Sequence, residues 1–154
     1  MAETSGAGAL LQQLLQNGVK TIFGLPGGQL DHFFDDVRFV GSRHEQGAAY
    51  MAFGYARSTG RPAVYTVVPG PGVLNTTAAL CTAYATNAPV MCLTGQIPAQ
   101  AIGRGIGYLH ELPDQLVTLR SLTRWAGRAM RPDEAPALVN EAFAVMNGGR
   151  RGPV

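Results

Sequence analysis

The sequence predicts an α/β domain, a parallel sheet with helices on both faces. Three observations point to it. The strand-like runs Lys20–Leu25, Ala63–Val68 and Pro89–Thr94 are apolar almost throughout rather than alternating, as expected of strands buried on both sides. Segments with apolar residues at helical spacing separate them. Gly- and Pro-containing turns follow each strand: Pro26-Gly27-Gly28, Pro69-Gly70-Pro71-Gly72 and Thr94-Gly95-Gln96-Ile97-Pro98. A length of 154 residues suits one domain, and 46% hydrophobic residues suffice for its core.

Taken in order, Ala9, Leu10, Leu11, Leu14 and Leu15 share one helical face, and Asn17-Gly18 stops that helix. Lys20–Leu25 is the first strand. Gln29 to Asp36 reads as a second helix of eight residues, short for a sheet-crossing connection, which averages about eleven. Val37–Gly41 is the next strand, and a small-residue helix runs from about Gly47 to Thr59. Ala63–Val68 is a β-branched, apolar strand, and Val73 to Ala85 is helical. Pro89–Thr94 is a strand, Gly95–Gly107 a Gly-rich loop, and Asp114–Leu119 a short helix. Thr123–Met130 reads as an edge strand. Asp133–Met146, opened by Pro132, is the last helix. Gly152-Pro153-Val154 reads as a turn entering a further strand.

Composition narrows the function. Net charge is +2, and the basic residues are scattered apart from Arg150-Arg151, which reads as a solvated tail, so no nucleic-acid stripe is expected. Cys81 and Cys92 lie in apolar surroundings without metal-ligand spacing, so buried free thiols and no metal site are expected. No apolar run approaches a membrane span and no signal-peptide pattern opens the chain, so a cytoplasmic protein is expected. Only 14% of residues are charged. That fits a domain covering part of its surface with a partner, through the helices bearing Ala48, Ala52 and Ala56 and Ala78, Ala79 and Ala83.

In a parallel sheet the turns after the strands open on one edge, where such sheets bind ligands. Glu45, in Arg43-His44-Glu45-Gln46-Gly47, falls on that edge with exposed backbone amides, Asn75, Gln96 and almost no basic side chains. Such a cleft suits a flat, uncharged heterocycle better than a diphosphate. Glu45 could equally be an acid favoured by a helix N-terminus, and Pro71-Gly72 a plain turn. Gln96 could contact a substrate or cap the next turn. His44 reads as structural, because adjacent side chains diverge.

At this point the residues resemble a family. The stretches are Gly18-Val19-Lys20-Thr21-Ile22-Phe23-Gly24-Leu25-Pro26-Gly27-Gly28, Arg43-His44-Glu45-Gln46-Gly47, Gly54-Tyr55-Ala56-Arg57-Ser58-Thr59-Gly60-Arg61-Pro62, Gly70-Pro71-Gly72 with Asn75, Thr94-Gly95-Gln96-Ile97-Pro98, and Gly149 to Val154. In this order and spacing they are similar to the N-terminal, pyrimidine-binding domain of thiamine diphosphate-dependent enzymes, closest to the acetolactate synthase branch. The resemblance implies that Glu45 hydrogen-bonds N1′ of the cofactor's aminopyrimidine and favours the imino form of its 4′-amino group. That group then takes the proton from thiazolium C2, and the resulting ylide attacks a 2-oxo acid such as pyruvate. It also implies that Pro71 and Asn75 line the pyrimidine pocket and that the Gly28 backbone faces the thiazolium. Ala48, Ala49, Tyr50 and Phe53 would supply an apolar setting for the carboxyl group.

The resemblance has limits. Decarboxylases of the pyruvate decarboxylase type carry an acid at the position of Gly28 and a His pair, and the chain has neither. Acetolactate synthases carry Ser at the position of Pro69 and Phe-Gln where the chain has His110-Glu111, a position that touches cofactor and substrate. Those residues and Gln96 are the substrate-side candidates, and a related carboligase, decarboxylase or lyase stays open. The resemblance makes residues 1–154 one pyrimidine-binding domain, cut before its last strand and lacking the middle and diphosphate-binding domains. Mg²⁺ would then be bound by the diphosphate domain of the same or another subunit in a homodimer or homotetramer, with FAD a further expectation for the whole enzyme. The isolated chain would be inactive. Two other readings are a non-catalytic scaffold of the same fold and a nucleotide-binding Rossmann domain. The second lacks a Gly-x-Gly-x-x-Gly opening the first helix.

Overall fold

The computed structural model describes residues 5–25 and 37–154. The expected turn at Pro26-Gly27-Gly28, the helix Gln29–Asp36 and the candidate Gly28 lie outside the described residues. Within them the elements run α1 (Gly6–Gln16), β1 (Thr21–Gly24), β2 (Arg38–Gly41), α2 (Glu45–Thr59), β3 (Ala63–Val67), α3 (Pro71–Leu74), α4 (Thr77–Ala85), β4 (Val90–Thr94), α5 (Gln115–Arg120) and α6 (Ala135–Asn147).

The four strands form a parallel sheet in the order β2-β1-β3-β4. Phe23 pairs with Val40 on one side and Tyr65 on the other, and Tyr65 pairs with Cys92. Successive side chains along a strand point to opposite faces, so one sheet closes two cores. Phe23, Tyr65, Val67 and Val90 pack under α2 and α4. Ile22, Val64 and Met91 pack under α1 and α6, against Leu14, Phe143 and Met146. This is the expected sheet with helices on both faces. The side to which successive strands are added reverses between β1 and β3, because β2 and β4 lie on opposite sides of that pair. The carboxyl ends of β1 and β3 therefore flank a topological switch point.

The alanines expected to face a partner are used inside the domain. Ala48, Ala52, Ala56, Ala79 and Ala83 are buried, letting α2 lie close to the sheet and to α4, and Ala78 alone of the six is exposed. The apolar side chains that the same helical layer leaves exposed are larger: Tyr50 (38%), Leu74 (41%) and Tyr84 (49%).

Four further expectations change. The helix expected over Val73–Ala85 is two helices, broken at Asn75-Thr76. There the Thr76 hydroxyl donates to the Val73 carbonyl (2.7 Å) and the Thr76 N–H bonds the same carbonyl three residues back (2.9 Å), tightening the backbone. Thr123–Met130 forms no strand. A single backbone bond, from Arg124 N–H to the Pro153 carbonyl (2.9 Å), holds it beside the C-terminal residues. The Trp125 indole donates to Glu141 on α6 (2.9 Å), so side chains rather than a ladder seat this margin. Arg150 and Arg151 are not a loose tail. Arg150 donates to Asn87 Oδ1 (2.5 Å) and Arg151 to the Gly60 carbonyl (2.9 Å), so both reach the C-terminal ends of α4 and α2, where cations suit the helix dipole. Cys81 is exposed rather than buried.

Val154 accepts from Cys92 N–H (2.8 Å) and donates to the Val90 carbonyl (2.9 Å), a parallel pairing on the outer side of β4. No helix among the described residues is long and apolar enough to cross a membrane.

Candidate functional site

Glu45 is the first residue of α2, two positions earlier than the expected helix start. His44 is the N-cap. Its extended backbone (φ −155°, ψ 142°) turns the ring back so that Nδ1 accepts from Gln46 N–H (3.2 Å), a structural role. The turn is tied to β1, since Ser42 N–H donates to the Gly24 carbonyl (2.8 Å). These bonds fix Glu45 over the carboxyl edge of the sheet. Glu45 thus stands both at a helix terminus and at the carboxyl edge of the sheet.

The turn after β3 comes to meet it. Gly70 has φ 60° and ψ −116°, a backbone that side-chain-bearing residues rarely adopt, and a Cβ there would run into the His110 carbonyl. Pro71 opens α3, where a missing N–H leaves no partner unsatisfied. Gly72 follows, buried and close to the carboxylate. A Cβ built on Gly72 would lie 3.6 Å from Glu45 Oε1 and 2.7 Å from Val68 Cγ2. Asn75, the C-cap of α3, donates from Nδ2 to Glu45 Oε2 at 2.9 Å. Glu45, Gly72 and Asn75 thus form one cluster with exposed Pro71 on its lip. One carboxylate oxygen is held by Asn75, and no hydrogen bond occupies Oε1 among the described residues. Glu45 is half-buried, with Ala48 and Ala49 fully buried behind it, whereas Tyr50 is exposed.

Two side chains that sequence reasoning missed hold the 70–76 segment from beneath. Tyr65, fully buried on β3, donates its hydroxyl to Thr76 Oγ1 (3.0 Å), next to Asn75. Burial, with Cys92 beside it, pushes the Tyr65 hydroxyl well above its ordinary range, so it is a fixed donor and not a titrating group. Gln115, 5% exposed at the start of α5, accepts from Gly70 N–H (2.8 Å) and donates to the Gly95 carbonyl (3.1 Å). The only hint of Gln115 in the sequence is its helical spacing to buried Leu119.

None of the substrate-side candidates is hydrogen-bonded to the carboxylate. Gln96 Oε1 accepts from the next N–H, that of Ile97 (2.8 Å), a turn cap. Glu111 accepts from Gly105 N–H (3.0 Å) and Tyr108 N–H (2.8 Å), bracing its own Gly-rich loop. His110 has φ 69°, and its backbone lies against Gly70. A cavity of about 350 Å³ opens beside β4, lined by Cys92, Thr94, Gln96, Gln115 and Trp125 among others, but not by Glu45, Pro71 or Asn75. The Glu45 cluster is therefore separate from that cavity. No group of three His, Cys, Asp or Glu side chains that could hold a metal occurs among the described residues.

With this geometry in place, comparison with known proteins is informative. Residues 4–117 match a family model described as the thiamine pyrophosphate enzyme, N-terminal TPP binding domain. The chain is 39% identical over 158 residues to a protein named a probable 2-ketoarginine decarboxylase from Pseudomonas aeruginosa, covering 99% of this chain and 28% of that protein. It is 38% identical over 149 residues to the mitochondrial acetolactate synthase catalytic subunit of Saccharomyces cerevisiae, covering 93% and 21%. A solved structure described as "a putative thiamin diphosphate-dependent enzyme" from Mycobacterium smegmatis superposes with a TM-score of 0.87 at 28% identity, covering 97% of this chain and 29% of that one. The chain therefore spans between a fifth and a third of the length of these relatives. The match over residues 4–117, the parallel sheet and the cluster at its carboxyl edge agree: this chain belongs to the thiamine diphosphate-dependent enzymes and carries their N-terminal cofactor-binding domain.

Proposed function

We propose that the chain is the cofactor-activating half of a carboligase or decarboxylase acting on 2-oxo acids such as pyruvate, with an acetolactate synthase-like reaction as the leading form. The observation that carries the proposal is the asymmetric environment of Glu45. Asn75 holds Oε2, while Oε1 stands over Gly72 with no hydrogen bond among the described residues. A side chain at residue 72 would cover that oxygen, and glycine leaves room for a flat ring to approach. The residues present therefore fit an aminopyrimidine.

When bound, thiamine diphosphate supplies the electron sink for carbon dioxide loss or carbon–carbon bond formation. The rest falls to the protein. Glu45 holds a proton at a ring nitrogen through Oε1. Asn75 keeps the carboxyl plane fixed, so the proton is presented in one direction. Pro71 and Gly72 would line the space such a ring takes up. Glu45 is half-buried rather than enclosed among the described residues, and catalysis of this kind gains from a covered site. The proposal assigns that cover, the diphosphate and its Mg²⁺ to a diphosphate-binding domain of the same or another subunit. Exposed Tyr50, Leu74 and Tyr84 on the α2–α4 layer are the apolar groups available to such a partner. A homodimer or homotetramer, and FAD elsewhere in the enzyme, belong to the same proposal. The 2-ketoarginine decarboxylase relative keeps simple decarboxylation as a second form of the reaction.

Glu45→Gln in an enzyme containing this domain tests the reading. Glutamine keeps an acceptor for Asn75, so the fold and cofactor binding should persist. Exchange of the thiazolium C2 proton, followed by NMR, should slow by about 10²–10⁴-fold, the usual contribution of a positioned acid/base. Unchanged exchange would reduce Glu45 to a helix-terminal acid.

A further inference from the structure

We propose that Gln115 is the positioning residue of this site, acting through the Gly70 turn on the Asn75–Glu45 pair. The inference rests on the reading of Glu45 given above. Gln115 is one of the few buried polar side chains among the described residues, and both ends of its amide are used. Its oxygen takes Gly70 N–H, which lies past the end of β3 and has no ladder partner. Its nitrogen binds the Gly95 carbonyl, just past the end of β4. One amide therefore clamps the ends of two adjacent parallel strands where the sheet opens. Gly70 is also wedged against the His110 backbone and holds a glycine-only conformation. From Gly70 the chain runs without a break through Pro71 and Gly72 to Asn75. A shift at Gly70 is thus transmitted to the group that holds Glu45 Oε2. Gln115 touches no reacting atom in this scheme; it sets where Asn75 stands.

Three forms of the full chain, wild type, Gln115→Met and Gln115→Glu, distinguish this role from general stability. Methionine keeps the volume and removes both hydrogen bonds. A protonated glutamic acid can accept from Gly70 and donate to Gly95, whereas its carboxylate can only accept. The readouts are amide hydrogen exchange at Gly70 and the Asn75 side-chain amide resonances by NMR, with α1 and α6 amides as the stability reference. In Gln115→Met, exchange at Gly70 should speed at least tenfold and the Asn75 resonances should move toward free-amide positions, while α1 and α6 protection changes less than threefold. In Gln115→Glu both signals should be wild-type-like at acidic pH and Met-like once the carboxyl ionises. Unmoved Asn75 resonances in Gln115→Met, a uniform loss of protection throughout the chain, or a Gln115→Glu variant without pH dependence would each overturn the proposal. None of these readouts needs cofactor. Failure of the C2-exchange test would remove the catalytic reading while leaving the Gln115 clamp measurable, and the reverse also holds.

Discussion

Gly72→Ala sets a local clash against a simple backbone benefit, and the structure gives both. The new Cβ would lie 2.7 Å from Val68 Cγ2. Valine is stiff about χ1, so relief requires movement of the Val68 backbone or an unfavourable rotamer. Overpacking of this kind costs about 1–3 kcal/mol. Residue 72 lies in α3 and has no positive φ, so alanine also gains about 0.4–1 kcal/mol by restricting the unfolded chain. The net loss should be about 1–2 kcal/mol, read as a lower midpoint in urea unfolding with an unchanged slope. In a Val68→Ala background the clashing methyl is gone, and the same Gly72→Ala change should become stabilising. The sign reversal is the decisive result, since an equal loss in both backgrounds would show that Val68 is not the obstacle. The double variant should also separate stability from function. Its fold recovers, but the alanine methyl still stands 3.6 Å from Glu45 Oε1, in the space assigned to the pyrimidine, so C2 exchange in the enzyme should stay slow.

Tyr65→Phe removes the donor to Thr76 while Thr76 keeps its bond to Val73, so thermal unfolding should show a loss of about 0.5–1.5 kcal/mol, with altered Asn75 resonances. Cys81 should react rapidly with a thiol reagent and Cys92 far more slowly, because Cys92 is only partly exposed and burial of its thiol pushes it up to about 11. A raised folded-state value means the unfolded chain ionises first, so chemical-denaturation stability should be full below pH 9.0 and fall as pH rises toward about 11, a trend Cys92→Ala should weaken. Asn75→Asp places a second carboxylate at hydrogen-bond distance from Glu45. Unfolding should then show a loss at neutral pH that is recovered on acidification, and a pH-independent effect would contradict the Asn75–Glu45 contact.

Much of this was legible in the sequence because it depends on local pattern. Continuous apolar runs located β1, β3 and β4 within a residue or two, and the turn at Glu45 followed from the strand-like run before it and the small-residue helix after it. What was not legible depends on contacts distant in sequence. Asn75-Thr76-Thr77 is the weak point of the run Val73–Ala85, since side chains of these types bond locally to backbone, as those of Thr76 and Thr77 do, but three such residues do not by themselves place a helix break. What a local pattern does not show is the buried tyrosine eleven residues upstream, on a strand beneath, that anchors Thr76 at the break. Thr123–Met130 has strand-like composition, but Gly127 packs against the Trp125 ring and the indole is drawn to Glu141, so the backbone turns away from a ladder. The alanine pattern correctly signalled close approach and was assigned to the wrong neighbour, because small residues serve α2 against its own sheet as well as they would serve a partner. Gln115 is 45 residues from the turn it holds, a distance no short motif spans.

The Asn75–Glu45 hydrogen bond is exposed at one end, and a single bond to a charged group nets about 1.5–3 kcal/mol at most, less where water competes. It cannot by itself hold a helix and a turn in register. The strength lies beneath it. Tyr65 fixes Thr76 from inside the sheet, Gln115 fixes Gly70 from the neighbouring strand end, and both bonds are buried. Such bonds are costly to break because their partners would be left unsatisfied. The segment between these anchors is too short and too constrained by Pro71 to wander. The position of the carboxylate thus follows from the parallel register of β1, β3 and β4. The half-buried carboxylate is thereby held in one place, with Oε2 on Asn75 and no hydrogen bond to Oε1 among the described residues.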